Sequence, residues 1–302
     1  MKRFVGPAML LLTAMIWGAA FVAQSVGMDH VGPFTFNAGR YYLGALVLIP
    51  VVLVKDRARP SGDPAMGWGN PKLWMGSLLC GIIMFVATSF QQVGLLYTTV
   101  GKAGFITTLY VVLVPIAGLA LGRKLRPLVW LCVVLAVAGL YFLCMSGYAA
   151  LGIGDLLMLG CAVVFTFHIL AVDYYSPRVD GVKLSLLQFV VSALVCTIPA
   201  LVLEEHHLSG LAEAWLPLLY TGACSCGIGY TFQILGQKRT DPTVASILMC
   251  MESVFSVLFG WLLLHQTLSP RELAGCALML VAILLSQLPE KKRDLQGPGQ
   301  VV

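Results

Sequence analysis

Two charged side chains stand where a hydrocarbon environment tolerates few. Arg40, in FNAGRYYLGALVLIP, and Glu252, in ASILMCMESVFSV, each lie inside an apolar run. At 1.5 Å per helical residue Arg40 is about 10 Å in from Pro33 and Glu252 about 14 Å from the near end of its run; a charge at such depth costs on the order of 2 kcal/mol or more unless it meets water or a partner. Two readings fit Arg40: a clamp on backbone carbonyls or a neighbouring helix end, and a cation that attracts an anionic or zwitterionic ligand. Asn37, three residues earlier, shares its face and favours an interior, wet position. Glu252 must be protonated, paired or hydrated. It reads either as a hydrogen-bonded link between helices or as a group that gains and loses a proton during a working cycle. Arg40 is its one evident interior counter-ion, and the two are expected to be coupled.

Other polar groups share this interior. His168, in VVFTFHILAV, is about as far from one surface as Arg40 is from the other, and reads as a neutral hydrogen-bonding residue or as a proton relay. Trp74, Trp130, Trp215 and Trp261 fall near the ends of apolar runs, as an interfacial belt requires, whereas Trp17 is deep. It either packs beside Gly18 or walls an aromatic pocket. Thr88, Gln91 and Gln92 share a helix face, as do Ser185, Gln188 and Ser192; each stripe either bonds helices together or lines a polar path. With Tyr110 and Gln233, these give a candidate substrate-binding set of Trp17, Asn37, Arg40, Thr88, Gln91, Gln92, Tyr110, His168, Gln188, Gln233 and Glu252. GLALG, residues 118–122, reads as small-residue packing. The nine cysteines fall inside apolar runs and read as packing residues, and the Cys224/Cys226 spacing turns the two thiols to different faces, so neither a metal nor another cofactor is expected.

The elements that must position these residues are membrane spans. Of 302 residues, 59% are hydrophobic and 11% charged, where soluble domains carry about 25% charge. The mean hydropathy is +0.88. A helix needs roughly 20 apolar residues to cross a bilayer, and ten such runs are expected: 6–27, 34–54, 73–97, 103–121, 128–145, 155–174, 184–203, 215–236, 243–264 and 272–288. The fold class is therefore an all-α polytopic membrane protein. The basic, apolar start resembles a signal peptide, but its apolar run is too long and it reads as an uncleaved first span.

Counted alternately over the loops, 16 of the 19 Lys and Arg residues fall on one side, which places that side and both termini in the cytoplasm. The net charge of +5 follows from this asymmetry and calls for no nucleic-acid partner. The other side carries Lys102, Arg271, His30, Glu204, Glu205, His206 and His207. The two halves also resemble each other. Ile49-Pro50 matches Ile198-Pro199, LYTTVGKAGFI has the layout of GQKRTDPTVASI, and LRPLVWLCVVLAVAGLYFL parallels LSPRELAGCALMLVAILLSQL. With five spans per copy the second copy enters the bilayer from the opposite side, so the chain is expected to hold two inverted five-helix repeats, 1–147 and 148–289, and a cytoplasmic tail, 290–302. Such repeats place a substrate site near the midplane between them.

IWGAAFVA, NAGRYYLGAL, GKAGFITTLYVVLVP, DPTVASILMCMESVFSVLFGWLLL and LSPRELAGCALMLVAILLSQL, in this order and over nearly the whole chain, resemble the drug/metabolite transporter superfamily, in its ten-span EamA-type branch. The resemblance implies paired five-helix repeats and outward movement of small metabolites, often amino acids or amphipathic compounds, and Trp17, Arg40 and Glu252 match positions that recur in the family. Two departures stand out: His265-Gln266 replaces a frequent Gly-Glu pair, and Ser253 replaces a frequent proline, which puts a kink there in doubt.

The expected function is secondary transport, in the direction of export, by a monomer or homodimer in a bacterial plasma (inner) membrane, with a small-molecule substrate and the lipid bilayer as partners. The chain contains no GxxxxGK[ST] segment, so direct ATP use is not expected. An intramembrane enzyme acting on lipid or peptide is one alternative, although HExxH and GxSxG are lacking. A channel is another, but isolated unlike charges do not make a ring.

Overall fold

The computed structural model describes residues 4–58, 66–98, 100–122, 127–144, 152–205, 208–264 and 269–286. Lys2, Arg3, Arg59, Arg123, Lys124, Arg126, Lys291, Lys292, Arg293, His206, His207, His265, Gln266 and the 290–302 tail lie outside them, as do the side chains of Cys144 and Cys276. The described residues contain helices and no strands. In chain order these are α1 (Val5–Gly27), α2 (Pro33–Arg57), α3 (Pro71–Leu95), α4 (Val100–Thr107), α5 (Tyr110–Ala120), α6 (Pro127–Cys144), α7 (Ile153–Tyr175), α8 (Gly181–Leu203), α9 (Leu208–Glu213), α10 (Trp215–Leu219), a π-helical segment (Tyr220–Tyr230), α11 (Thr231–Gln237), α12 (Pro242–Met249), α13 (Glu252–Leu264) and α14 (Pro270–Ser286). Six helical stretches among the described residues are long and apolar enough to cross a membrane. Large apolar side chains such as Leu46, Val54, Leu201 and Leu203 are more than half exposed, as lipid-facing residues must be.

Several helix starts are written locally. Asn70 accepts from the Lys72 amide, Asp180 from Val182 and Lys183, and Asp241 from Thr243 and Val244, and prolines begin α2, α3 and α12 where the missing N–H costs nothing. Pro50 and Pro199 lie within unbroken helices. Breaks occur elsewhere. The fourth and ninth expected runs are each two helices, parted at Thr108–Leu109 and at Cys250–Met251. Both turns tighten to three-residue bonds, Leu109 N to Ile106 O at 3.2 Å and Val111 N to Thr108 O at 3.0 Å, Met251 N to Leu248 O at 3.3 Å and Ser253 N to Cys250 O at 3.2 Å. The kink beside Glu252 thus exists without a proline. The two turns touch, Thr108 Oγ1 lying 3.2 Å from Ser253 Oγ. The eighth expected run departs from a plain α-helix through the π segment, YTGACSCGIGY, whose glycines and small residues favour the α form weakly and let neighbours approach.

α2 lies along α8 and α6 along α14; α3 packs on α7 and α8, and the 215–237 stretch on α1 and α2; α1 also meets α12 and α13, and α7 meets α4 and α5. Exchanging α1 with α7, α2 with α8, α3 with 215–237 and α4–α5 with α12–α13 leaves these main pairings unchanged. Two glycine pairs mark close crossings at corresponding places in the two halves. A Cβ on Gly6 would lie 3.1 Å from Gly236 O, and one on Gly154 would lie 2.9 Å from Gly94 O. The α2–α8 pair is tied at both ends. At one end the Glu204 carboxylate accepts the Phe34 and Thr35 amides at 2.7 Å. At the other, Lys55 pairs with Asp180 at 2.9 Å and Lys183 with Asp56 at 2.7 Å. Burial pushes the Asp180 carboxyl up, but the Lys55 ammonium and two backbone amides outweigh it and hold the carboxyl below the usual range.

Candidate functional site

Helices α1, α2, α3, α4, α5 and α7, the π segment, α11 and the α12–α13 turn surround a central cavity of about 30 Å³, lined by Trp17, Phe21, Gln24, Arg40, Gln91, Thr107, Tyr110, Phe165, Ile169, Ser225, Tyr230, Gln233, Met249 and Glu252, among others. That is room for about one water molecule. Six of the sequence-predicted site residues line it: Trp17, Arg40, Gln91, Tyr110, Gln233 and Glu252. The lining comes in corresponding pairs. Gln91 stands three residues before Gly94, as Gln233 does before Gly236, and Trp17 stands eleven after Gly6, as Phe165 does after Gly154. Tyr110 and Glu252 are each the first residue of the helix that follows a break.

Arg40 is 2% exposed. Its Nη1 donates to Gln24 Oε1 at 2.9 Å and its Nη2 to Tyr41 Oη at 3.4 Å. Tyr41 Oη donates in turn to Thr88 Oγ1 at 2.7 Å, and Asn37 Nδ2 donates to Thr88 O at 3.2 Å. Thr88 therefore bonds α2 to α3, as Ser192 bonds α8 to α3 through Gly81 O at 2.9 Å. Asn37, Thr88 and Gln92 are buried but do not line the cavity. Asn37 and Thr88 belong to the frame around Arg40.

Glu252 Oε1 accepts from Tyr110 Oη at 3.2 Å. Among the described residues no ion pair joins Glu252 to Arg40. The two charges share a cavity, and each is held by neutral partners. Trp17 Nε1 donates to Ser225 O at 3.4 Å, and its ring lies 4.6 Å from that of Tyr230. Tyr230 also meets the rings of His168, at 6.1 Å, and Phe189, at 5.8 Å. His168 and Gln188 stand behind this tyrosine, with His168 Nε2 at 3.3 Å from Gln188 Oε1. Gln24, Tyr41, Phe165 and Tyr230 escape a reading of the sequence, because nothing distinguishes them from ordinary polar or aromatic residues of a span; the one signal was that Tyr230 lies one helical turn before Gln233. No cluster of metal-binding side chains occurs among the described residues, and the described cysteines are free thiols.

The sequence profile of the EamA-like transporter family matches residues 4–145 and again residues 152–288. The chain belongs to the EamA-like transporter family. As an EamA-like protein of the drug/metabolite transporter superfamily it is an integral membrane transporter and not an enzyme. An uncharacterized transporter of Archaeoglobus fulgidus is 31% identical over 294 residues, covering 95% of this chain and 87% of that one. The threonine/homoserine exporter RhtA of Escherichia coli is 28% identical over 300 residues, covering 95% and 93%. A solved crystal structure, 19% identical, has the same fold, with a TM-score of 0.77 over 94% of this EamA-like chain and 96% of the other.

Proposed function

We propose that this transporter exports small zwitterionic metabolites, amino acids or close amphipathic relatives, by alternating access between two inverted five-helix halves. The carrying observation is that Arg40 and Glu252 line one closed cavity without pairing, Arg40 held by Gln24 and Tyr41, Glu252 by Tyr110. A substrate carboxylate can take the place of the neutral partners at Arg40, and its ammonium can meet Glu252, while Trp17, Phe165 and Tyr230 face its apolar part. In the closed form the cavity is far too small for an amino acid, so binding requires the helices to part.

The exchange of packing partners between the halves and the paired lining positions support the inverted repeat. Lys55, Arg57, Lys72, Arg178, Lys183, Lys238 and Arg239 gather at the same helix ends, which supports a cytoplasmic face there, in a bacterial inner membrane, with both termini on that side. The name of the RhtA relative supports outward movement of amino acids.

Counterflow in proteoliposomes, with labelled threonine and homoserine beside a panel of amines, amino acids and nucleobases, tests the reading. Saturable exchange of a zwitterion that is lost in Arg40→Ala and Glu252→Gln is expected, and saturation separates a carrier from a channel. Full activity of the Trp17, Arg40 and Glu252 alanine variants rejects the site.

A further inference from the structure

Behind the central cavity, on the side of the basic helix ends, lies a second buried polar cluster that substrate binding does not use. His168 on α7, Gln188 on α8, and Gln233 and Gln237 on α11 are each 2% exposed or less. Gln188 Oε1 can only accept, so His168 Nε2 carries the hydrogen between them and Nδ1 presents a lone pair. Gln237 Nε2 donates to Ile169 O at 3.1 Å, next to His168 in the chain, and Ser185 Oγ lies 2.8 Å from Thr231 Oγ1 in the same layer. Yet His168 Nδ1, Gln188 Nε2, Gln233 Oε1 and Gln237 Oε1 have no hydrogen-bond partner among the described residues. Four unmet polar atoms in one layer are the setting in which proteins bind internal water, each molecule making two to four such bonds.

The cluster has direction. Gln233 lines the cavity that also holds Glu252. Gln237, one turn along the same face and about 6 Å further, is the last residue of α11 and is followed by exposed Lys238. In the first half the positions corresponding to His168, Gln188 and Gln237 hold Ala20, Gly39 and Leu95, which offer no polar side chain.

We propose that ordered water held by His168, Gln188, Gln233 and Gln237 forms a proton path from the cytoplasmic end of α11 to Glu252; the inference rests on the transport reading above. A proton arriving as hydronium at Gln237 passes from water to water. The last transfer forms the O–H bond of the Glu252 carboxylic acid, and release runs the same bonds in reverse. His168 stays neutral and positions water through Nδ1. The titratable groups around Glu252 are Tyr110 on α5, Cys161 on α7, Cys250 before it in the chain, and Arg40 and Tyr230 across the cavity, while α1 and α4 present Trp17 and Thr107.

The test is infrared spectroscopy of the full chain in oriented membrane vesicles, following the carboxylic-acid band that Glu252→Gln abolishes while pH is stepped on one side. The band is expected to follow the cytoplasmic pH, and to do so about tenfold more slowly in Gln188→Leu and Gln237→Leu, with Gln237→Asn restoring the rate. A band that follows the outer pH, an unchanged rate in the leucine variants, or no Glu252 band at any pH overturns the proposal. Radiolytic hydroxyl labelling of the unmodified chain guards against misfolded variants. Buried His168 is expected to be labelled above equally buried Met84, and equal labelling refutes the water. Neither readout needs a substrate, so a failed transport reading and a failed proton path remain distinguishable.

Discussion

The polar groups on α1, α2 and α3 and those on α7, α8 and the 215–237 stretch stand on corresponding helices of the two halves, and they are built oppositely. The first group surrounds a fixed cation. Arg40 is gripped by Gln24 and Tyr41, and Tyr41 by Thr88. The second group has no permanent charge; where Arg40 would recur stands Phe189, and the polar atoms belong to His168, Gln188, Gln233 and Gln237. Each group leaves unmet atoms, Asn37 Oδ1, Arg40 Nε and both amide atoms of Gln92 in the first. Arg40 Nε, a donor, suits an anionic guest, whereas the mixed donors and acceptors around a neutral imidazole suit water. The difference shows that one helical frame, used twice, acquires two electrostatic characters by a few substitutions.

The largest effect that tests this contrast is on transport. Arg40→Ala is expected to lower counterflow about a hundredfold, the equivalent of the ~2–3 kcal/mol that charge-assisted bonds contribute, whereas His168→Asn lowers it only several-fold and leaves substrate saturation unchanged. Equal losses erase the contrast. Next come the crossings that the halves share. Gly154→Leu, facing Gly94 O, and Gly6→Leu, facing Gly236 O, are each expected to cost about 1–3 kcal/mol, measured by thermal unfolding in detergent. A cost confined to one of them breaks the correspondence. Smaller still, Tyr41→Phe removes the donor to Thr88 Oγ1, which keeps its own bond to Met84 O, and the acceptor of Arg40 Nη2, and is expected to cost about 1 kcal/mol, with Ser185→Ala, which removes the partner of Thr231 Oγ1, costing a similar amount. The smallest effect concerns acid. The Asp180 carboxyl is held below its ordinary range when folded, so its contribution is present at neutral pH and is lost as pH falls through the folded value. Lys55→Ala therefore shifts the onset of acid unfolding upward in pH, read by tryptophan fluorescence.

The membrane fold was legible because apolar runs of span length leave little else to predict, and the candidate site was legible wherever a polar group interrupts such a run. Arg40, Glu252, Gln91 and Gln233 stand out in this way and line the cavity, whereas Asn37, Thr88, Gln92, His168 and Gln188 interrupt their runs equally and do not. The partners did not stand out. Tyr41 follows Arg40 as one of two tyrosines, and only packing decides that Tyr41 turns inward, while Tyr42 is 41% exposed. The breaks at 108–109 and 250–251 carry neither glycine nor proline, so no local preference announces them, whereas Pro50, Pro115 and Pro199 sit in continuous helices. Arg40 and Glu252, expected to be coupled, share a cavity and form no ion pair among the described residues; Gln24 bonds the one and Tyr110 the other.

The hydroxyl contact between Thr108 and Ser253 joins the one tight turn to the other back to back. Half-helices fastened at their elbows share this seam: straightening one loses the hydroxyl contact, worth about 1 kcal/mol, unless its twin moves with it. Tyr110 and Glu252, each mounted just past an elbow, are bonded to one another as well, and Ser253 also donates to Gly104 O, so the seam fastens a half-helix of the first half to its counterpart in the second.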